Sequence, residues 1–171
     1  MIKQFVAQEV CLKCQGCCRF READSPWLPC LLAEEAQNLI DSNIPAVSIS
    51  LERRIQPIPH PKSQPLGAGA GFICPLLNIS DNKCKIYSHR PFECQLYPFL
   101  ITLRGKKVLL TVDLNCPYIK EKIKSQELKE YTEYLTSFFN SPAQVRILKE
   151  NPHIIQAYQE VLDIIELKPI D

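Results

Sequence analysis

Nine cysteines stand in a chain of 171 residues, four of them packed into Cys11-Leu12-Lys13-Cys14-Gln15-Gly16-Cys17-Cys18. No other feature constrains the fold as strongly. Thiols this close together cannot all staple distant loops, and an odd total leaves one outside any complete set of disulfides. A disulfide framework would suit a small exported domain. The opening stretch MIKQFVAQEVCLKC lacks the apolar segment and small-residue cleavage site of a secretory signal. The expectation is therefore a cytoplasmic protein, with its cysteines reduced and available to bind metal.

Two-residue spacing between Cys11, Cys14 and Cys17 lets a turn aim several sulfurs at one ion, leaving backbone N–H groups free to donate to the thiolates. Gly16 permits the close backbone approach that such a turn needs. The spacing is that of the C-x2-C-x2-C segment of bacterial ferredoxins, but here a fourth cysteine follows at once. Neighbouring Cys17 and Cys18 project differently and can serve separate centres. A second set comprises Cys74, Cys84, Cys94 and Cys116, with proline directly after Cys74 and Cys116. Such prolines fix φ and remove a competing N–H, as rigid ligand loops require. Four plus four ligands suit two tetrahedral sulfur sites, and a single site is the simpler arrangement.

Four thiolates around a divalent centre leave about two negative charges that need donors nearby. Lys13, Arg19, Arg21, Lys83, Lys85, His89 and Arg90 all lie within a few positions of a cysteine. Taken singly, each reads as an ordinary solvated charge. Arg90 is the exception, because it precedes Pro91 and sits four residues before Cys94; it is the candidate donor to a bound cofactor. Glu93 and Asp113 are candidate acceptors around the site.

The combination Cys11-x2-Cys14-x2-Cys17-Cys18, then Cys74-Pro75-Leu76, then Cys84-x-Ile86-Tyr87-x2-Arg90-Pro91-x2-Cys94-x2-Tyr97-Pro98-Phe99 resembles the YkgJ-type CxxCxxCC cysteine-cluster family. The resemblance covers residues of about 11–117. It implies a zinc- or iron-chelating protein with eight shared cysteines, which by position are Cys11, Cys14, Cys17, Cys18, Cys74, Cys84, Cys94 and Cys116. Cys30 falls outside that set and reads as a small buried hydrophobe. Gln95 departs from the pattern, since the family usually has arginine after that cysteine. The resemblance extends to a flagellin lysine methylase, although no nucleotide or methyl-donor motif is present.

Three functions follow from this reading. An iron–sulfur cluster of the 4Fe-4S type, with an electron-transfer or oxidoreductase-associated role and a redox protein partner, agrees best with the spacing and the cysteine–proline steps. Structural zinc is the alternative, holding a proline-rich, strand-poor half together. A metal-dependent protein-modifying enzyme rests on the resemblance alone. Whether the chain is an enzyme is left open: His60, His89 and His153 are isolated, and no base accompanies Cys30. A net charge of +1 gives no reason to expect nucleic acid. No apolar run approaches the roughly 20 residues of a membrane span.

The expected fold class is α+β: an irregular cysteine-rich metal-binding half over 1–117, then a helical extension over 118–171 packed on the same domain. Leu32 to Ile40 carries a helical pattern. A proline- and glycine-rich loop from Gln56 to Gly71 reads as a lid or connector and lacks a phosphate-binding fingerprint. Phe99–Leu103 and Val108–Val112 around Arg104-Gly105 predict an antiparallel hairpin. Ile123, Leu128, Tyr131, Leu135 and Phe138 predict a helix. Ser141-Pro142 and Asn151-Pro152 predict two further helix starts. The last helix would carry the stripe Ile154, Tyr158, Val161, Leu162 and Ile165.

Overall fold

The computed structural model describes residues 2–14, 16–42, 48–60 and 71–169. Most of the loop expected between Gln56 and Gly71 therefore lies outside the described residues. The chain forms two compact units, Val6–Gln95 and Met1–Phe5 with Leu96–Asp171. Helices and small antiparallel sheets make it α+β, as expected.

The first unit contains little regular structure. Helix α1 (Gln8–Cys14) buries none of its side chains. Strand β1 (Arg19–Phe20) is followed by helix α2 (Ala33–Asp41), which buries Ala36 and Leu39. Strands β2 (Ile58–Pro59) and β3 (Phe72–Ile73) complete a sheet ordered β1-β3-β2, and β4 (Leu77–Asn78) pairs with β5 (Lys83–Cys84). Each of these strands is only two residues long, so ladder hydrogen bonds alone cannot hold them. Cohesion comes from an apolar cluster of Phe20, Leu28, Leu31, Leu39, Ile55, Ile73 and Leu76, of which Cys74 is also a member. Cys18 and Cys84 pack against that cluster. A 3-10 turn at Tyr87–His89 leads to helix α3 (Phe92–Leu96).

In the second unit, β6 (Phe99–Arg104) and β7 (Lys107–Asp113) form the expected hairpin, in register from Phe99↔Val112 to Arg104↔Lys107. Gly105 takes φ of +61°, a conformation that glycine adopts without strain. Thr102 and Thr111 sit fully buried on the hairpin and satisfy each other through a 2.7 Å hydroxyl–hydroxyl bond. Helices α4 (Pro117–Lys122), α5 (Gln126–Phe139) and α6 (Pro142–Glu150) follow. Their starts obey local capping: Ser125 accepts the Leu128 N–H at 3.1 Å, and Ser141 precedes a proline at the first helical position. Phe5 stacks edge-on against Phe99 and Tyr118, tying the N-terminal residues into this core.

One expected element differs. After Asn151-Pro152 the chain makes a single 3-10 turn, Pro152–Ile154, and then strand β8 (Val161–Glu166) instead of a third long helix. Glu160 adopts φ of +59°, which ends any helical course. Val161, Ile164 and Ile165 are β-branched and prefer extended backbone, and β7 offers an open edge. The resulting sheet runs β6-β7-β8, with an irregularity between Leu110 and Thr111. Leu162 and Ile165 are 39% and 41% exposed, so the expected stripe does not form one buried face, and a spacing of three and four residues does not separate a helix from a bulged edge strand. Among the described residues, no helix is long and apolar enough to cross a membrane.

Candidate metal centre

Strand register brings the first two cysteines together. Arg19 faces Ile73 and Phe20 faces Phe72, so one step further out Cys18 faces Cys74. The Cys74 N–H donates to the Cys18 carbonyl at 2.9 Å, and the two thiols hydrogen-bond each other. Cys18 takes φ of +62°. That left-handed conformation turns the chain sharply after the exposed Cys17 and sends the next side chain against the core.

Cys84 arrives from the second hairpin, where it faces Leu77. The Cys74-Pro75-Leu76-Leu77 turn closes through the Leu77 N–H to the Cys74 carbonyl at 3.0 Å, and the Lys85 N–H meets the Leu76 carbonyl at 2.8 Å. The Ile86 N–H donates to the Cys84 sulfur, the kind of amide donor a thiolate ligand needs. Cys94 comes from α3.

Cys18, Cys84 and Cys94 lie within one another's electrostatic reach, and Cys74 is joined to Cys18. The bond with Cys74, then burial, pushes Cys18 well above the usual thiol range. Burial, then the neighbouring Cys18 and Cys84, does the same to Cys94, and burial raises Cys84. Arg90 opposes the shift at all three, while Arg19 opposes it at Cys18 and Lys85 at Cys84. Arg90 is held by its own turn: Nε donates to the Tyr87 carbonyl at 3.2 Å, and its guanidinium lies 4.0 Å from the Tyr87 ring centre. Arg19 bonds Asn82 at 2.5 Å, and Lys85 Nζ bonds the Pro75 carbonyl at 2.8 Å.

The remaining candidates are placed differently. Cys11 and Cys14 are exposed on α1, and a side chain at Gly16 would come within 3.3 Å of the Cys14 sulfur. Cys116, in the second unit, precedes Pro117 at the start of α4. Its loop is organised by buried Asp113, which accepts the Tyr97 hydroxyl at 2.8 Å and the Asn115 N–H at 2.7 Å. Cys30 is 1% exposed, and burial with nearby Glu93 pushes its thiol up to about 12. Glu93 accepts the Cys30 N–H at 2.6 Å, so its partner is backbone. Glu35 went unnoticed in the sequence, although its position three residues after Leu32 fits a carboxylate that returns to a helix start.

No cysteine is disulfide-bonded. Among the described residues, no three His, Cys, Asp or Glu side chains stand together at metal-ligand separations. The donor chemistry nevertheless fits a thiophilic metal. Cys18 touches Cys74, and Cys84 and Cys94 feel the charge of Cys18; burial and mutual repulsion disfavour bare thiolates there, and a bound cation is what would stabilise them. Zinc and iron in sulfur surroundings match such a set, whereas magnesium and calcium require oxygen.

No solved structure matches the chain. A family model, CxxCxxCC, described as a "putative zinc- or iron-chelating domain", matches residues 10–117. That match spans more than half of the chain and every converging cysteine, so this protein belongs to the CxxCxxCC family of zinc- or iron-chelating domains.

Proposed function

We propose that this chain is an iron–sulfur protein, with Cys11, Cys14, Cys17, Cys18, Cys74, Cys84, Cys94 and Cys116 as its metal ligands. A 4Fe-4S cluster serving electron transfer, or an associated oxidoreductase, is the role they suit. The observation that carries the reading is the direct pairing of Cys18 with Cys74 across the β1–β3 register, with Cys84 and Cys94 from two further segments within electrostatic reach of Cys18. Arg90 supports it, as a cation that faces Cys18, Cys84 and Cys94 and can offset cluster charge. A redox protein is the natural partner, and a reducing cytoplasm the natural compartment.

Structural zinc is the second reading, favoured by the short strands of the Val6–Gln95 unit, which gain most from a metal tie. Metal and sulfide analysis of anaerobically purified protein separates the two. Brown protein with iron and acid-labile sulfide supports the first. Colourless protein with stoichiometric zinc rejects it in favour of the second, and protein that takes up neither metal sinks both.

A further inference from the structure

Cys94 sits on a helix that cannot stand alone. α3 has five residues, below the length at which an isolated helix persists, and Pro91 before it offers no side-chain acceptor for its first amides. The acceptor comes from 57 residues away: Glu35 Oε1 takes the Phe92 N–H at 2.6 Å. Its other oxygen takes the Leu32 N–H at 2.9 Å, at the start of α2. One carboxylate thus caps two helices. In the opposite direction, Glu93 reaches from α3 to the Cys30 N–H at 2.6 Å.

The segment both carboxylates grip is itself fixed. The Leu31 N–H donates to the Arg53 carbonyl at 2.8 Å, the Ile55 N–H to the Pro29 carbonyl at 3.2 Å, and Arg54 Nη1 to the Leu28 carbonyl at 3.0 Å. Leu28 and Leu31 are buried in the core of the unit. The crossed carboxylates therefore transmit that rigidity to the helix carrying Cys94.

We propose that Glu35 and Glu93 are positioning residues for the thiolate centre, a crossed pair of carboxylates that holds the Cys94 sulfur in place relative to Cys18 and Cys84. The proposal rests on the metal-thiolate reading above. Charge is not what Glu93 contributes, because its carboxylate opposes thiolate formation at Cys94. Geometry is. Metal–sulfur bonds are held close to 2.3 Å, so a small drift of α3 removes a ligand.

The test uses the full metal-loaded chain with Glu35→Ala, Glu35→Gln, Glu93→Ala and Glu93→Gln. Metal content is measured first, then the rate of metal loss to EDTA, with amide exchange at Phe92, Leu32 and Cys30 followed in parallel. Glu35→Ala should deprotect the Phe92 and Leu32 amides and speed metal loss by about 10- to 100-fold. Glu93→Ala should do so through the Cys30 amide. Glu93→Gln keeps an acceptor oxygen and should hold metal nearly as well as the parent. Glu35→Gln keeps one of two acceptors and should fall between, and it decides the matter if Glu35→Ala does not fold. Deprotected amides with unchanged metal loss would overturn the proposal while leaving the metal reading intact. A parent protein that holds no iron or zinc would overturn both, and the first measurement shows which failure occurred.

Discussion

Metal binding at the converging thiols should be steeply dependent on pH. In the metal-free protein Cys18, Cys84 and Cys94 all titrate above the ordinary thiol value of 9.0. Near neutrality each carries its proton, and each must lose it to become a ligand. Three displaced protons make the dissociation constant fall about 1000-fold per pH unit, or about 4 kcal/mol from three contributions of roughly 1.36 kcal/mol. Calorimetric titration of the apoprotein with zinc, in buffers of different ionisation enthalpy, counts those protons directly. Release of three or more per zinc is expected, and release of one or fewer would refute the ligand set. The metal-free fold should show the opposite trend. Raised folded-state values mean that the stability contributed by neutral thiols is present below about pH 9 and is lost as pH rises through those values. Apoprotein should therefore melt lower on the alkaline side, and loaded protein should not.

Cys84→Ser or Cys14→Ser should release metal and loosen the fold, whereas Cys30→Ser should leave metal content unchanged in elemental analysis; the reverse pattern would contradict the assignment. With its thiol at about 12, Cys30 is ionised in about one molecule in 10,000 at pH 8, so intact-mass analysis after brief native alkylation should find it unmodified. Ser125→Ala removes the acceptor for the Leu128 N–H and should cost about 1 kcal/mol in chemical denaturation. Leu135, fully buried in α5, should cost about 2–5 kcal/mol when cut to alanine, read from the same curves.

Much of the second unit was legible because its signals are local. The hairpin is written in two apolar, β-branched runs around Gly105, and α5 in the spacing of Leu128, Tyr131 and Leu135. The C-terminal strand was not, because Val161, Leu162 and Ile165 satisfy helical spacing as well as a strand does, and pairing with β7 decided between them. Glu93 drew notice through its neighbour Cys94, but its bond to Cys30 spans 63 residues and leaves no local trace. The second bond of Glu35 is equally non-local.

The sequence by itself determined the donor chemistry: sulfur in abundance, cysteine–proline steps, and cations close by in the chain. Which sulfurs meet was decided only in three dimensions. Cys18 lies 56 residues from its partner Cys74, and they face each other because the β1–β3 register is held by burying Phe20 and Ile73. Local spacing can say which side chains are able to bind a metal, but their convergence depends on how distant apolar residues pack, and that is a property of the whole fold.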